Sequence, residues 1–179
     1  DRSPSRGLGD VYKRQPYYGA RSMGGLINEA LNNGRGVFIA SLTSNREGAS
    51  LQTAIRQSGT YRGTTVAHGI AQTAQSFNNK TKGMGSVGLI VGATIGDWMN
   101  GGGIDVTSFT GPILSPGYGW QGAEADDLKR VFAGTHGNVL VTVSRSIASH
   151  GPDIGELSAA TERIALDIRQ ALVDSGECV

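Results

Sequence analysis

The amino-acid sequence predicts an α/β protein built on a parallel sheet. Four short apolar runs alternate along the chain with segments of helical periodicity, which is the order typical of α/β folds. The runs are apolar on both faces, as strands are when helices cover a parallel sheet. Glycine makes up 28 of the 179 residues and is spread over turn positions, so many tight loops are expected. These features do not distinguish a closed barrel from an open sheet.

The predicted elements follow one another in a regular order. Strands are predicted over residues 37–42, 87–92, 112–115 and 138–143. Helices are predicted over residues 23–32, 65–77 and 125–133, the first of them ended by Asn33 and Gly34. A last helix carries apolar residues at the spacing of one helix face, from Leu157 to Leu172.

Residues 1–15, with the sequence DRSPSRGLGDVYKRQ, show neither helical periodicity nor apolar alternation. They resemble a translated sequencing adaptor joined to a shortened reading frame, and we expect them to be a non-native scar. Residues 16–179 are therefore expected to form one domain, with the natural N-terminus missing.

Composition excludes several classes of partner. The formal net charge is +1, so no overall field favours nucleic acid or an anionic membrane surface. The apolar runs have the length of strands, far shorter than a membrane span. Cys178 is the single cysteine, which precludes an internal disulfide and favours a reducing, cytoplasmic location.

Polar residues collect where the predicted strands end. Both barrels and open parallel sheets bind ligands at this edge, and barrels often bind phosphate with the loops after their last two strands. The loops after the third and fourth predicted strands have the sequences PGYGWQG and SRS. Glycine backbone N–H groups and an arginine are suited to an anion, so a phosphate site is predicted here.

The third-strand loop also contains a G-x-G-x-x-G motif, formed by Gly117, Gly119 and Gly122. A dinucleotide site would need an acidic residue about 20 positions further on, at the end of the next strand. That strand ends in Ser144 and Arg145, with no Asp or Glu. An NADP site, in which Arg145 would bind the extra phosphate, stays open as an alternative. A simpler phosphate is favoured because a dinucleotide fold normally uses the loop after its first strand, whereas this loop precedes the last one. His68, His136 and His150 show no metal-ligand spacing, and no metal site is predicted.

Five segments carry a resemblance to a known family. They are PYYG, GVFIASLTSNREG, GSVGLIVGAT, GPILSPGYGWQGA and NVLVTVSRSIASHGPD, in this order. Together they resemble the C-terminal part of orotidine 5′-phosphate decarboxylases of the longer bacterial branch. The resemblance implies a (β/α)₈ barrel that works as a homodimer, without metal or organic cofactor, and converts orotidine 5′-phosphate (OMP) to uridine 5′-phosphate (UMP) and CO₂. This chain would then hold only the C-terminal half, about strands five to eight of an incomplete barrel.

The resemblance also implies roles for individual residues. Phosphate would be bound by Gln121 and Arg145, joined by the loop at Gly119 and the backbone at Ser144. Ser44 would bind the pyrimidine and meet Gln121. Further residues expected to line the pocket are Thr43 and Thr94. Tyr118 and Trp120 are bulkier than the small residues expected in this loop.

The family's catalytic motif, of the type Asp-x-Lys-x-x-Asp, does not occur in the sequence. Asp127 and Lys129 match two positions, but Phe132 stands at the third and the segment is predicted to be helical. No catalytic residue is therefore assigned, and the chain is expected to be an inactive fragment. The alternatives are a non-catalytic phosphate-binding domain that is whole in itself, or another phosphate-handling barrel enzyme.

Overall fold

The strands form one parallel sheet in which sequence order and spatial order coincide. The computed structural model describes residues 11–96, 103–135 and 137–174. Within these ranges the sheet order is β1-β2-β3-β4-β5, and each neighbouring pair is parallel. The strands are β1 (Val11–Arg14), β2 (Gly36–Leu42), β3 (Val87–Val91), β4 (Ile113–Pro116) and β5 (Val139–Thr142).

Helices connect the strands and lie against the sheet. They are α1 (Gly24–Asn32), α2 (Ala49–Gln52), α3 (Val66–Asn78), α4 (Ala125–Phe132), α5 (Arg145–Ala148) and α6 (Ile154–Asp174). Short 3-10 helices cover Ala20–Met23 and Arg46–Gly48. Among the described helices, none is both long and apolar enough to span a membrane.

The four predicted strands and the four predicted helices are present, with ends that differ from the predicted ones by at most three residues. Strand β1 was not predicted, because it lies in the segment that was expected to take no part in the fold. It pairs through its backbone with β2, from Val11 opposite Gly36 to Arg14 opposite Ile39. Backbone pairing needs no apolar pattern, so the charged residues Lys13 and Arg14 concealed this strand in the sequence.

The hydrophobic core lies between the helices and one face of the sheet. Strand residues such as Ile39, Leu89 and Ile113 are fully buried there with Leu128 and Phe132 of α4. At the opposite face of the sheet the Phe38 ring packs over Gly88. A Cβ added at Gly88 would lie 2.5 Å from this ring. This packing fixes the strand ends that carry the polar loops.

A buried side chain ties α3 to the next strand. The Asn78 amide donates to the Val87 carbonyl oxygen at 2.8 Å and its Oδ1 accepts from the Val87 N–H at 3.1 Å. At the other end of α3, Thr65 accepts a hydrogen bond from the His68 N–H at 3.1 Å and caps the helix. The α3 unit is thus fixed at both ends, and β3 begins in register.

Candidate functional site

The loops at the carboxyl ends of the strands are joined by backbone hydrogen bonds. The Gly92 N–H, just after β3, donates to the Leu42 carbonyl oxygen at 2.9 Å. The Ala93 N–H donates to the Pro116 carbonyl oxygen at 2.8 Å. Because all strands are parallel, these contacts bring the loops after β2, β3 and β4 to one edge of the sheet.

Residues 117–123, which we call the glycine loop, form a tight turn after β4. Gly117, Gly119 and Gly122 have φ angles of +114°, +74° and +98°, a region that residues with a side chain rarely adopt. The loop is closed by the Gly119 N–H, which donates to the Ala123 carbonyl oxygen at 2.8 Å, and by the Gly122 N–H, which donates to the Gly119 carbonyl oxygen at 2.7 Å. The G-x-G-x-x-G spacing therefore serves the geometry of this turn.

The two bulky residues of the glycine loop face different surroundings. Tyr118 is partly buried against the core, and burial raises the pKa of its hydroxyl, with further contributions from the carboxylates of Asp167 and Glu124. Trp120 keeps 60% of its surface exposed. The loop accommodates both rings, one as an anchor in the core and one at the surface.

The predicted pyrimidine-binding serine and the predicted phosphate-binding glutamine are in contact. Ser44 Oγ donates to Gln121 Oε1 at 3.3 Å, between residues 77 positions apart. Gly92 permits this approach, since a Cβ there would lie 2.8 Å from the Ser44 nitrogen. The structure thus joins the loop after β2 to the glycine loop at the position where the sequence predicted a ligand.

Arg145 and Ser144 lie beside the glycine loop at the end of β5. Arg145 is exposed at the start of α5, and its Cζ lies 5.6 Å from the centre of the Trp120 ring. In the described ranges no carboxylate pairs with Arg145. The residue after it, Ser146, accepts a hydrogen bond at Oγ from the Trp120 N–H at 2.8 Å.

Thr43 and Thr94, the other predicted pocket residues, have different surroundings. The Thr43 hydroxyl accepts from Gln52 Nε2 at 2.7 Å and donates to Asn45 Oδ1, while its N–H donates to Gln52 Oε1 at 2.9 Å. Thr43 therefore fixes α2 to the end of β2. Thr94 is half-buried, and its methyl group faces Gly117. A Cβ added at Gly117 would lie 3.5 Å from this methyl group. Gln52 was not predicted, since nothing in its sequence surroundings distinguishes it.

The partial Asp-x-Lys match lies on an outer helix. Asp127 Oδ2 accepts from the Glu124 N–H at 2.9 Å in a capping box at the start of α4, and Asp127 also pairs with Arg130. Lys129 lies 3.6 Å from Asp126 on the surface of the same helix. These residues stabilise α4 and do not form part of the strand-end site.

Histidine and acidic residues form no cluster suited to a metal ion within the described ranges. His68 Nδ1 lies 2.7 Å from the Gly103 carbonyl oxygen, and His136 lies outside the described residues. A separate cleft of about 330 Å³ lies between α3 and the 3-10 helix Ala20–Met23. Its lining includes Arg56 and Tyr61 but none of the predicted site residues.

A comparison with known families decides the assignment. The model of the "Orotidine 5′-phosphate decarboxylase / HUMPS family" matches residues 10–160. The chain belongs to this family. The match includes all five strands and both loops of the candidate site, and it confirms the resemblance found in the sequence.

Curated relatives agree with this family assignment. The chain is 41% identical over 166 residues to the orotidine 5′-phosphate decarboxylase of Salinispora arenicola and 40% identical over 167 residues to that of Streptomyces coelicolor. Each alignment covers 93% of this chain and 57% of the relative. The chain thus spans little more than half the length of the curated relatives it matches.

Solved structures share the fold. A crystal structure from Streptomyces avermitilis, described as an orotidine 5′-phosphate decarboxylase, has a TM-score of 0.80 and 37% identity, covering 92% of this chain and 55% of that one. The Leishmania donovani OMP decarboxylase has a TM-score of 0.63 at 21% identity, over 92% of this chain and 58% of that one. The five-stranded parallel sheet of this orotidine 5′-phosphate decarboxylase family member therefore matches part of a larger fold.

Proposed function

We propose that this chain is the nucleotide-binding part of an orotidine 5′-phosphate decarboxylase. The observation that carries the proposal is the hydrogen bond between Ser44 and Gln121, with Arg145 beside the same loop. In this proposal Ser44 binds the pyrimidine, and the phosphate is bound by Gln121, Arg145 and the backbone at Gly119 and Ser144. The complete enzyme converts OMP to UMP and CO₂ in the cytoplasm, as a homodimer without a cofactor.

The chemistry of these groups suits a nucleotide monophosphate. A guanidinium offers two parallel N–H groups that match two phosphate oxygens, and charge strengthens both hydrogen bonds. Gln121 bonds to Ser44 through Oε1, which leaves its amide N–H groups for a phosphate oxygen. Gln121 can then link the pyrimidine-binding serine to the phosphate.

The strand order supports a proposal for which strands of the complete barrel this chain contains. In this proposal residues 16–179 are the C-terminal part of the barrel, with β2 to β5 as strands five to eight and β1 at the position before them. A foreign origin of residues 1–15 remains compatible with β1, because a strand pairs through backbone groups that every residue other than proline carries.

The 179-residue chain alone is proposed to be inactive, because the sequence offers no Asp-x-Lys-x-x-Asp motif. Loss of CO₂ leaves a carbanion, and no positioned lysine would stabilise or protonate it. In an absorbance assay of OMP we expect no turnover above that of the heat-denatured chain. Turnover well above this control would show that the chain carries a catalytic group of its own.

The phosphate assignment is tested by Arg145→Ala. Loss of a charged hydrogen bond should cost about 1.5–3 kcal/mol, which weakens UMP binding roughly 10- to 150-fold. Uridine, which has no phosphate, should bind as weakly as before. Isothermal titration calorimetry of both ligands measures this, with Arg163→Ala, an exposed arginine of α6, as the matched control. Equal weakening of uridine and UMP would contradict the assignment.

A second candidate is a phosphate-binding domain with no catalytic role, which the missing motif favours. The two candidates differ when the other part of the barrel is supplied. Co-expression with the part of the Streptomyces coelicolor relative that lies outside the matched region should restore decarboxylation if the first candidate is correct. UMP binding without any restored turnover would favour the second.

A further inference from the structure

We infer that Trp120 is a positioning residue that holds the Arg145 guanidinium in place for phosphate. The inference rests on the proposed function and adds a residue to its site. Trp120 lies in the glycine loop directly before Gln121, whereas Arg145 follows β5. The guanidinium carbon of Arg145 lies over the indole ring, 5.6 Å from its centre.

This contact leaves the arginine free to bind an anion. A guanidinium that stacks on a ring uses its face, while its N–H donors lie in its own plane. Stacking and two-pronged hydrogen bonding to phosphate can therefore take place together. The exposed arginine would otherwise distribute over many rotamers, and a ligand would have to restrict them at a cost in binding free energy.

A second contact fixes the position of Trp120 relative to Arg145. The backbone N–H of Trp120 donates to Ser146 Oγ at 2.8 Å, and Ser146 directly follows Arg145. Trp120 therefore contacts two adjacent residues after β5, Arg145 through its ring and Ser146 through its backbone. Because Gln121 follows Trp120, the two proposed phosphate-binding side chains are held in one arrangement.

A double-mutant cycle on the 179-residue chain tests the inference. Trp120→Ala should weaken UMP binding about 2- to 5-fold, the range expected for an exposed cation–π contact. In an Arg145→Ala background the same replacement should have no further effect. Uridine binding should be unchanged throughout, and Trp120→Phe should restore most of the lost affinity. Urea unfolding of each variant checks that the fold is retained.

The possible results separate this inference from the proposed function. If Trp120→Ala weakens UMP equally with and without Arg145, or weakens uridine as much as UMP, the tryptophan only shapes the loop and the inference is wrong. If Arg145→Ala weakens UMP but Trp120→Ala does not, the inference fails and the proposed function stands. A wild-type chain that binds UMP no better than uridine overturns both.

Discussion

Gly119 leaves room for the Ser146 side chain beside the glycine loop. A Cβ at this position would lie 2.4 Å from Ser146 Oγ, and the φ of +74° is unfavourable for any side chain. Gly119→Ala should therefore break the contact between Trp120 and Ser146 and weaken UMP binding at least as much as Trp120→Ala does. Calorimetric titration with UMP measures the effect.

Gly122 provides the matched control for this replacement. Its φ of +98° is equally unfavourable, but nothing lies within 4 Å of a Cβ there. Gly122→Ala should lower the free energy of unfolding by about 1 kcal/mol. It should weaken UMP binding less than Gly119→Ala does. Removing the Ser146 side chain with Ser146→Gly should relieve the collision in Gly119→Ala. If Gly122→Ala weakened UMP binding as much as Gly119→Ala, backbone strain in the glycine loop, and not the collision with Ser146, would explain both losses.

At the scale of single residues, the sequence predicted which positions meet but not how they meet. Ser44, Gln121 and Arg145 follow strands, and parallel strands place their ends together, so their proximity was predictable. The contact of Trp120 with Arg145 depends on the φ angles of the glycine loop, which the sequence suggests only as a glycine spacing. Thr43 bonds to Gln52 because α2 begins soon after β2, a detail no pattern indicated.

Among the connecting elements, the segment between β3 and β4 contains Asp105, whose side chain accepts hydrogen bonds from residues close to it in the sequence. The Asp105 carboxylate accepts from the Thr107 hydroxyl at 2.6 Å and from the Thr107 N–H at 2.9 Å. The Thr107 hydroxyl above all, followed by Ser108, lowers the pKa of Asp105 to about 2. The charged carboxylate therefore stabilises this turn ahead of β4.

This lowered pKa predicts a pH dependence of stability. Because the folded pKa lies below the unfolded value of about 4, the contribution of Asp105 is present above pH ~4 and is lost as the pH falls towards about 2. The carboxylate is exposed, so solvent limits the contribution to less than about 1 kcal/mol. Asp105→Asn should destabilise the chain at pH 7, and the difference from wild type should vanish near pH 2 in urea unfolding.

Asp126, whose side chain is 93% exposed on α4, is the control for that experiment. Its replacement by Asn should change the free energy of unfolding by less than about 0.5 kcal/mol. A difference between Asp105→Asn and wild type that stayed constant from pH 7 to pH 2 would contradict the assigned role of the charge.

The elements themselves were largely predictable, and the exceptions have physical causes. The runs at β2 and β3 are apolar because helices cover them, and the stripe on α6 packs residues such as Ala171 into the core. Strand β1 escaped prediction because its backbone pairing with β2 needs no apolar pattern, and the charged residues Lys13 and Arg14 interrupt any such pattern in the sequence.

For the whole molecule, the open sheet predicts self-association. In the described ranges β1 and β5 each have one strand neighbour, and Leu140 of β5 is 56% exposed. Exposed strand edges with apolar side chains pair readily with other chains. We expect sedimentation velocity to show species larger than the 18.6 kDa monomer.

Replacing Leu140 tests the origin of that association. Leu140→Lys should shift the distribution towards monomer, because a lysine on an edge strand opposes pairing. Leu166→Lys alters a side chain of α6 that is 64% exposed and should leave association unchanged. A wild-type chain that sediments as a monomer at all concentrations would contradict the prediction.

The order of the strands has a consequence for synthesis on the ribosome. Within the residues that the structure describes, each sheet pairing joins strands that are consecutive in the chain, so each new strand meets a neighbour that has already emerged. Each parallel pair still has to close a crossover connection, such as residues 43–86 between β2 and β3, before its contacts form, which makes this pairing slower than local helix formation. The proposed nucleotide site is completed last, because Gln121 and Arg145 emerge after β4 and β5, long after Ser44 has taken its place behind β2.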